Sequence, residues 1–198
     1  MSRRNTNMNG FRIPTAIGVI MISMSLCGIV SAWEGSATTP YTWTDELPAL
    51  VNDDALANGL WCTGGYCSAL ALDYTTDNIV LTDFDKWAFT WTVEFSDQMN
   101  GGQALCPNGA FVTGLVCYGD WCAVKELQCT QMYKDISTVP TPAVWDHAPV
   151  VQTPTISEET GGGNFNHVQC AVAGEFIVGM QASGYYSDNM TILCAGMN

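Results

Sequence analysis

Basic side chains are nearly missing from this sequence. Six Lys and Arg and two His stand against nineteen Asp and Glu, a formal charge of −13 at pH 7. Arg3, Arg4 and Arg12 lie at the very start, so the rest of the chain has only Lys86, Lys125 and Lys134 against all nineteen acids. Such a surface repels phosphate backbones, which excludes nucleic acid as a partner and disfavours anionic membranes. Sustained helical periodicity is also missing. There is no G-x-S-x-G elbow and no H-E-x-x-H, so the residues of two common hydrolase chemistries are not there. Glu94/Asp97 and Glu158/Glu159 could serve glycoside hydrolysis only if paired across a cleft, and nothing in the sequence places them so. Asp53/Asp54 and Asp83/Asp85 lack the spacing of a calcium loop and read as solvated surface. His147 and His167 fall in linkers of variable length and are expected to be exposed bystanders. No metal site, no cofactor and no catalytic residue is expected.

Long apolar runs are limited to one, over 13–30. Arginines precede it and Val30-Ser31-Ala32 follows, the pattern of a secretory signal over 1–32 cleaved after Ala32. Pro14, Gly18 and Gly28 make the run poor as a membrane span. The expected location is therefore secreted or extracellular, or periplasmic in a Gram-negative host, with no membrane attachment after cleavage. Cys27 leaves with the signal, and eight of the nine cysteines remain. An exported chain is where disulfides persist. Residues 33–198 suffice for one domain with a core.

What is present is a repeat. Setting Cys117 over Cys62 and Ala182 aligns Gly114 with Gly59 and Gly179, and Gly119 with Gly64 and Gly184. Trp121 then aligns with Tyr66 and Tyr186, and Leu127 with Leu72 and Ile192. Repeats of about 41–86, 87–140 and 141–198 follow, within a single domain. Cysteines appear and vanish two at a time. The third copy has Ala182 and Ser187 in place of the pairs Cys62/Cys67 and Cys117/Cys122. The first has Val51 and Tyr74 in place of Cys106/Cys129 and Cys170/Cys194. Joint loss is what a covalent bond predicts, so four disulfides are expected: Cys62–Cys67, Cys117–Cys122, Cys106–Cys129 and Cys170–Cys194. Zinc fits poorly, because thiolate sites need four ligands per ion.

Each copy reads as two strands around a short tip. Phe111, Thr113, Leu115 and Cys117 alternate, as do Phe176, Val178 and Met180, which predicts one buried face per strand. The aligned glycine predicts a bulge or a close backbone approach. The inner disulfide would pin the tip, and the outer one the base of the same hairpin. Trp33 to Pro40 reads as a polar lead-in. Trp43, Trp91 and Trp145 are taken as counterparts opening the three repeats, and 135–154 as an extended connector. The fold class is all-β, disulfide-stapled, with threefold repetition: β-prism-like, with the β-trefoil as the alternative.

Cys106-Pro107-Asn108-Gly109-Ala110-Phe111-Val112-Thr113-Gly114, the closing strand Met190-Thr191-Ile192-Leu193-Cys194 and the paired tryptophans of Trp87-Ala88-Phe89-Thr90-Trp91 resemble the repeats of the vitelline membrane outer layer protein I family. The resemblance implies a β-prism of three sheets around an apolar axis and an extracellular coat or glycan-associated role. That family's D-T-A-L-N loop is replaced here by the short bridged tip, where ligand contacts would fall.

The tips carry Tyr66, then Asp120 with Trp121, then Tyr185 and Tyr186 with Asp188 close by. Flat aromatic faces beside polar groups suit sugar rings, and rigid turns lower the ordering cost of binding. Capping of the sheet ends is the other use of the same rings. The expected function is carbohydrate binding without catalysis. A structural part of an extracellular layer and a glycan-active enzyme with its site in the unequal loops are the alternatives.

Overall fold

The computed structural model describes residues 36–43, 47–52, 55–75, 84–92, 94–95, 101–134, 141–157, 166–184 and 189–198, with backbone alone at 36, 43, 84–89 and 91. The proposed signal segment lies outside them. No helix among the described residues is long and apolar enough to cross a membrane.

In chain order the strands are β1 (Ser36–Thr38), β2 (Thr42–Trp43), β3 (Ala49–Leu50), β4 (Ala57–Thr63), β5 (Ala69–Thr75), β6 (Phe84–Trp91) and β7 (Gly102–Leu105). Then come β8 (Ala110–Tyr118), β9 (Val124–Lys134), β10 (Thr141–Pro142), β11 (Val150–Val151), β12 (His167–Gln169), β13 (Glu175–Ser183) and β14 (Asn189–Gly196). The protein is all-β, and its strands form three antiparallel sheets. Each is centred on one hairpin: β4/β5, β8/β9 or β13/β14.

Each sheet is completed by a strand from another repeat. β3 of the first repeat pairs with β8, β7 of the second pairs with β13, and β12 of the third pairs with β4. This cyclic exchange closes the domain, since every sheet needs a neighbour's backbone to finish its ladder. The aligned glycines make the exchange possible. Register shifts occur between Ala57/Gly59, Val112/Gly114 and Ile177/Gly179, so each copy has one bulge at the same place. The bulged residues Thr113, Val178 and Asn58 accept the N–H of Val51, Cys106 and Cys170 at 3.0, 2.8 and 2.9 Å. A Cβ on Gly179 would stand 2.6 Å from the Ala104 carbonyl oxygen, and one on Gly114 would stand 2.6 Å from Leu50. Glycine is there for close approach.

All four expected disulfides are formed, with Cα–Cα distances of 5.0, 5.7, 4.8 and 5.8 Å in chain order. The outer pair does more than pin a hairpin base. Cys106 follows β7 and is hydrogen-bonded to β13, whereas Cys129 is in β9 of the second sheet. Cys170 follows β12 and bonds to β4, whereas Cys194 is in β14 of the third. Two corners between sheets are thus covalently closed. At the remaining corner Val51 and Tyr74 are both buried in the main core instead.

The bulges also correct the expected alternation. A bulge reverses side-chain parity, so Phe111 and Phe176 do not share a face with Leu115 and Met180. Leu56, Phe111 and Phe176, one from each repeat, meet in a second cluster with Met132 and Leu193. The two rings there pack edge to face at 5.8 Å. The main core holds Leu60, Leu70, Leu72, Val112, Leu115, Leu127, Ile177, Met180 and Ile192. Burying each large apolar side chain contributes about 2 kcal/mol. At the position of Leu70 and Met190 the second copy carries Lys125, fully buried, which donates to the Cys122 carbonyl at 2.6 Å.

Four further expectations are revised. Ser36–Thr38 is a paired strand, β1 on β5, so the polar lead-in contributes to the first sheet. The expected connector contains β10 and β11, and the expected junction at 86/87 falls inside β6. The tryptophan register does not hold. Trp91 pairs with Gln128, whose counterpart Asp73 pairs with Thr38, while Trp43 pairs with Ala69. The true counterparts are Thr39, Thr92 and Gln152, whose N–H groups donate to Leu72, Leu127 and Ile192 at 2.9, 2.8 and 2.9 Å. In two copies the Thr hydroxyl also accepts the leucine N–H, at 3.0 and 3.1 Å. Trp145 instead donates its indole N–H to the Ala110 carbonyl and bridges to Met197.

Candidate functional site

The first two hairpins end in short 3-10 turns, Gly65–Cys67 and Asp120–Cys122. In each, two successive non-glycine residues have positive φ: Tyr66 and Cys67 at 57° and 54°, Trp121 and Cys122 at 58° and 58°. Such residues cost about 1–3 kcal/mol each and persist where the surroundings over-determine them. Here the bond closing each six-residue loop does so. Gly64 and Gly119, with φ of 75° and 68°, lead the chain in.

The two turns touch. Tyr66 and Trp121 pack edge to face with centroids 5.9 Å apart and planes at 68°. Tyr66 is half-buried, and Trp121 keeps 49% of its surface open. The tip therefore divides the two expected uses of the rings: one packs, the other is presented. Asp120 beside it is exposed. Tyr118 is exposed too, and its hydroxyl donates to Glu126 at 3.4 Å. Desolvation and the negative charges of Glu126 and Glu94 push its phenol up. Tyr185, Tyr186 and Asp188 lie outside the described residues, as do Asp53, Asp54, Asp83, Asp97, Glu158 and Glu159.

A second cluster was invisible in the linear pattern. Asp73, on the outer face of β5 and 7% exposed, accepts from Thr38 Oγ1 at 2.6 Å and Trp61 Nε1 at 2.9 Å. His167 Nε2 lies 2.7 Å from the same carboxylate, and its ring stacks on Trp61 at 4.0 Å. Burial works to raise the Asp73 pKa. Hydrogen bonds from His167, Thr38 and Trp61, with the charge of His167, outweigh burial and hold the group below the usual carboxylate value. Thr38 belongs to β1, Trp61 to β4 and His167 to the donated β12, so one carboxylate ties the first sheet from edge to edge. His167 is therefore no bystander. Neither is His147, whose Nε2 lies 2.9 Å from Glu175 Oε1 while Nδ1 meets the Ala148 carbonyl. Those contacts, the backbone one foremost, raise its pKa.

Among the described residues no three His, Cys, Asp or Glu side chains gather to hold a metal ion. On the outer face of the third sheet, Gln103, Gln181, Ser183, Asn189 and Thr191 line an open groove with Thr155. The linear pattern did not single out this groove as a site, because isolated Gln and Asn carry no motif. No family model, no curated protein and no solved structure matches this chain.

Proposed function

We propose that this chain is a secreted, non-catalytic carbohydrate-binding protein of the β-prism type, the class its resemblance to the vitelline membrane outer layer protein I family implies. The cyclic exchange of strands among three sheets supports the prism reading, and four disulfides suit an oxidising location. One observation carries the binding reading: a half-exposed Trp121 on a turn whose backbone is held by its disulfide and whose ring is braced by Tyr66. An aromatic face fixed in this way stacks on the C–H face of a sugar with little conformational entropy left to lose. Asp120 accepts hydroxyl hydrogen bonds beside it. Trp121→Ala is the test, read on an array of immobilised glycans. Binding is lost while the thermal unfolding midpoint stays within about 2 °C; equal loss of both would make the ring a structural cap.

A second reading, a component of an extracellular layer, is favoured by the outer strand β11, where Val150 and Val151 are 51% and 47% exposed. It requires self-association, which sedimentation velocity over a concentration series detects. A single monomeric species throughout would remove it.

A further inference from the structure

The groove on the third sheet encloses about 430 Å³ and has a regular construction. Gln103 on β7 pairs with Gln181 on β13, which pairs with Thr191 on β14, so the three side chains form one cross-strand row. Ser183 and Asn189 form the next pair toward the tip. Met180, Ala182, Met190 and Ile192, which alternate with them, point into the core, and the row therefore faces outward. The corresponding row of the first sheet holds Trp61 and His167, whose stacked rings fill it. In the third sheet amides replace the rings, and among the described residues no ring fills the space.

We propose that this groove is a second ligand site, taking an uncharged saccharide. It rests on the carbohydrate-binding reading but shares no residue with the Trp121 tip. Among the described residues its side chains are amides and hydroxyls, with no charged group and no aromatic ring. An anion would meet no cation there and would approach a chain of net charge −13. An apolar ligand would strip water from amides without replacing its hydrogen bonds. A neutral sugar offers donors and acceptors together, as the groove does. The site is also ordered in advance. Gln181 Nε2 donates to Gln103 Oε1 at 2.8 Å, which fixes both side chains while using one N–H of the first and one lone pair of the second. Thr191 Oγ1 donates to the Gln152 carbonyl at 2.6 Å, and Gln152 Oε1 accepts the Ala171 N–H at 3.0 Å, so the wall behind the row is held too. Fixed amides lose little rotamer freedom when a ligand arrives.

The test titrates the disulfide-intact chain with maltotriose, cellotriose, mannotriose and lactose, following the side-chain amide resonances of Gln103 and Gln181 by NMR. One of these sugars should move both resonances. The double variant Gln103→Ala/Gln181→Ala should weaken that sugar about tenfold or more, since several ligand hydrogen bonds disappear with the amides. Ser183→Tyr, at an exposed position, should block the groove by bulk and give the same loss without deleting an amide. Binding lost in Trp121→Ala but unchanged in both groove variants overturns the groove and leaves the tip. Binding lost in the groove variants but kept in Trp121→Ala establishes the groove and removes the tip. No shift with any of the four sugars overturns the groove as a site for them, whatever the array shows for Trp121.

Discussion

Trp61 and His167 lie face to face at 4.0 Å with their planes only 14° apart, and both reach the same oxygen of Asp73. One residue belongs to the first repeat and the other to the third. Their contact is therefore a measure of how the strand exchange closes, and it makes the closure sensitive to acid.

Asp73→Asn tests this directly. The folded-state pKa of Asp73 is depressed, so its contribution is fully present above the unfolded value, about 3.9, and is lost as pH falls through the folded one. The variant should lose about 2 kcal/mol at pH 7, since a buried charged acceptor with three donors is removed. Urea unfolding should show the gap between the two proteins shrinking as pH drops below about 4. A gap independent of pH would mean that the carboxylate charge does not matter.

Asn58 marks a position where the first copy is worse than its sisters. It is fully buried, and neither its side-chain oxygen nor its nitrogen has a hydrogen-bonding partner. Its counterparts are Thr113, whose hydroxyl meets that of Thr130 at 2.7 Å, and Val178, which is apolar. The counterpart of Thr130 is Thr75, so Asn58→Thr recreates the hydroxyl pair. It should stabilise the protein by about 1 kcal/mol, read as a higher urea midpoint with an unchanged slope.

The unbridged corner can be closed. Val51→Cys with Tyr74→Cys places sulfurs where the other two copies have Cys106/Cys129 and Cys170/Cys194. A third corner disulfide should form without free thiol, and should raise stability by up to about 3 kcal/mol, less the packing lost with Tyr74. Thiol titration and thermal melting report both.

Gly179→Ala should do the opposite. Its Cβ would lie 2.6 Å from the backbone oxygen of Ala104, so β7 would have to shift away from β13. A cost of about 2 kcal/mol is expected, with amide exchange speeding up first at Gln103 and Ala104 rather than at the hairpin.

The linear pattern disclosed the all-β class, the repeat and every disulfide partner, because these depend on local chemistry. Cysteines lost in pairs announce their own bonds, and an aligned glycine announces a bulge. It misread what crosses repeats. The tryptophan register failed because Trp43 and Trp91 share neighbours in sequence but pair at different rungs. The alternation of Phe111 with Leu115 failed because the bulge beside Gly114 inverts parity, and a strict period of two carries straight through it. Asp73 and His167, 94 residues apart, had no spacing to betray them.

Sequence alone settled which sulfurs join, where each hairpin turns and which residue types the tips carry, since each is decided within one copy by covalent chemistry or backbone sterics. Tertiary structure alone decided that each repeat completes another's sheet, that the outer bridges span corners, and that an amide row stands where a ring stack fills its sister. Those outcomes depend on which strand arrives beside which, and the partner strand comes from a distant part of the chain.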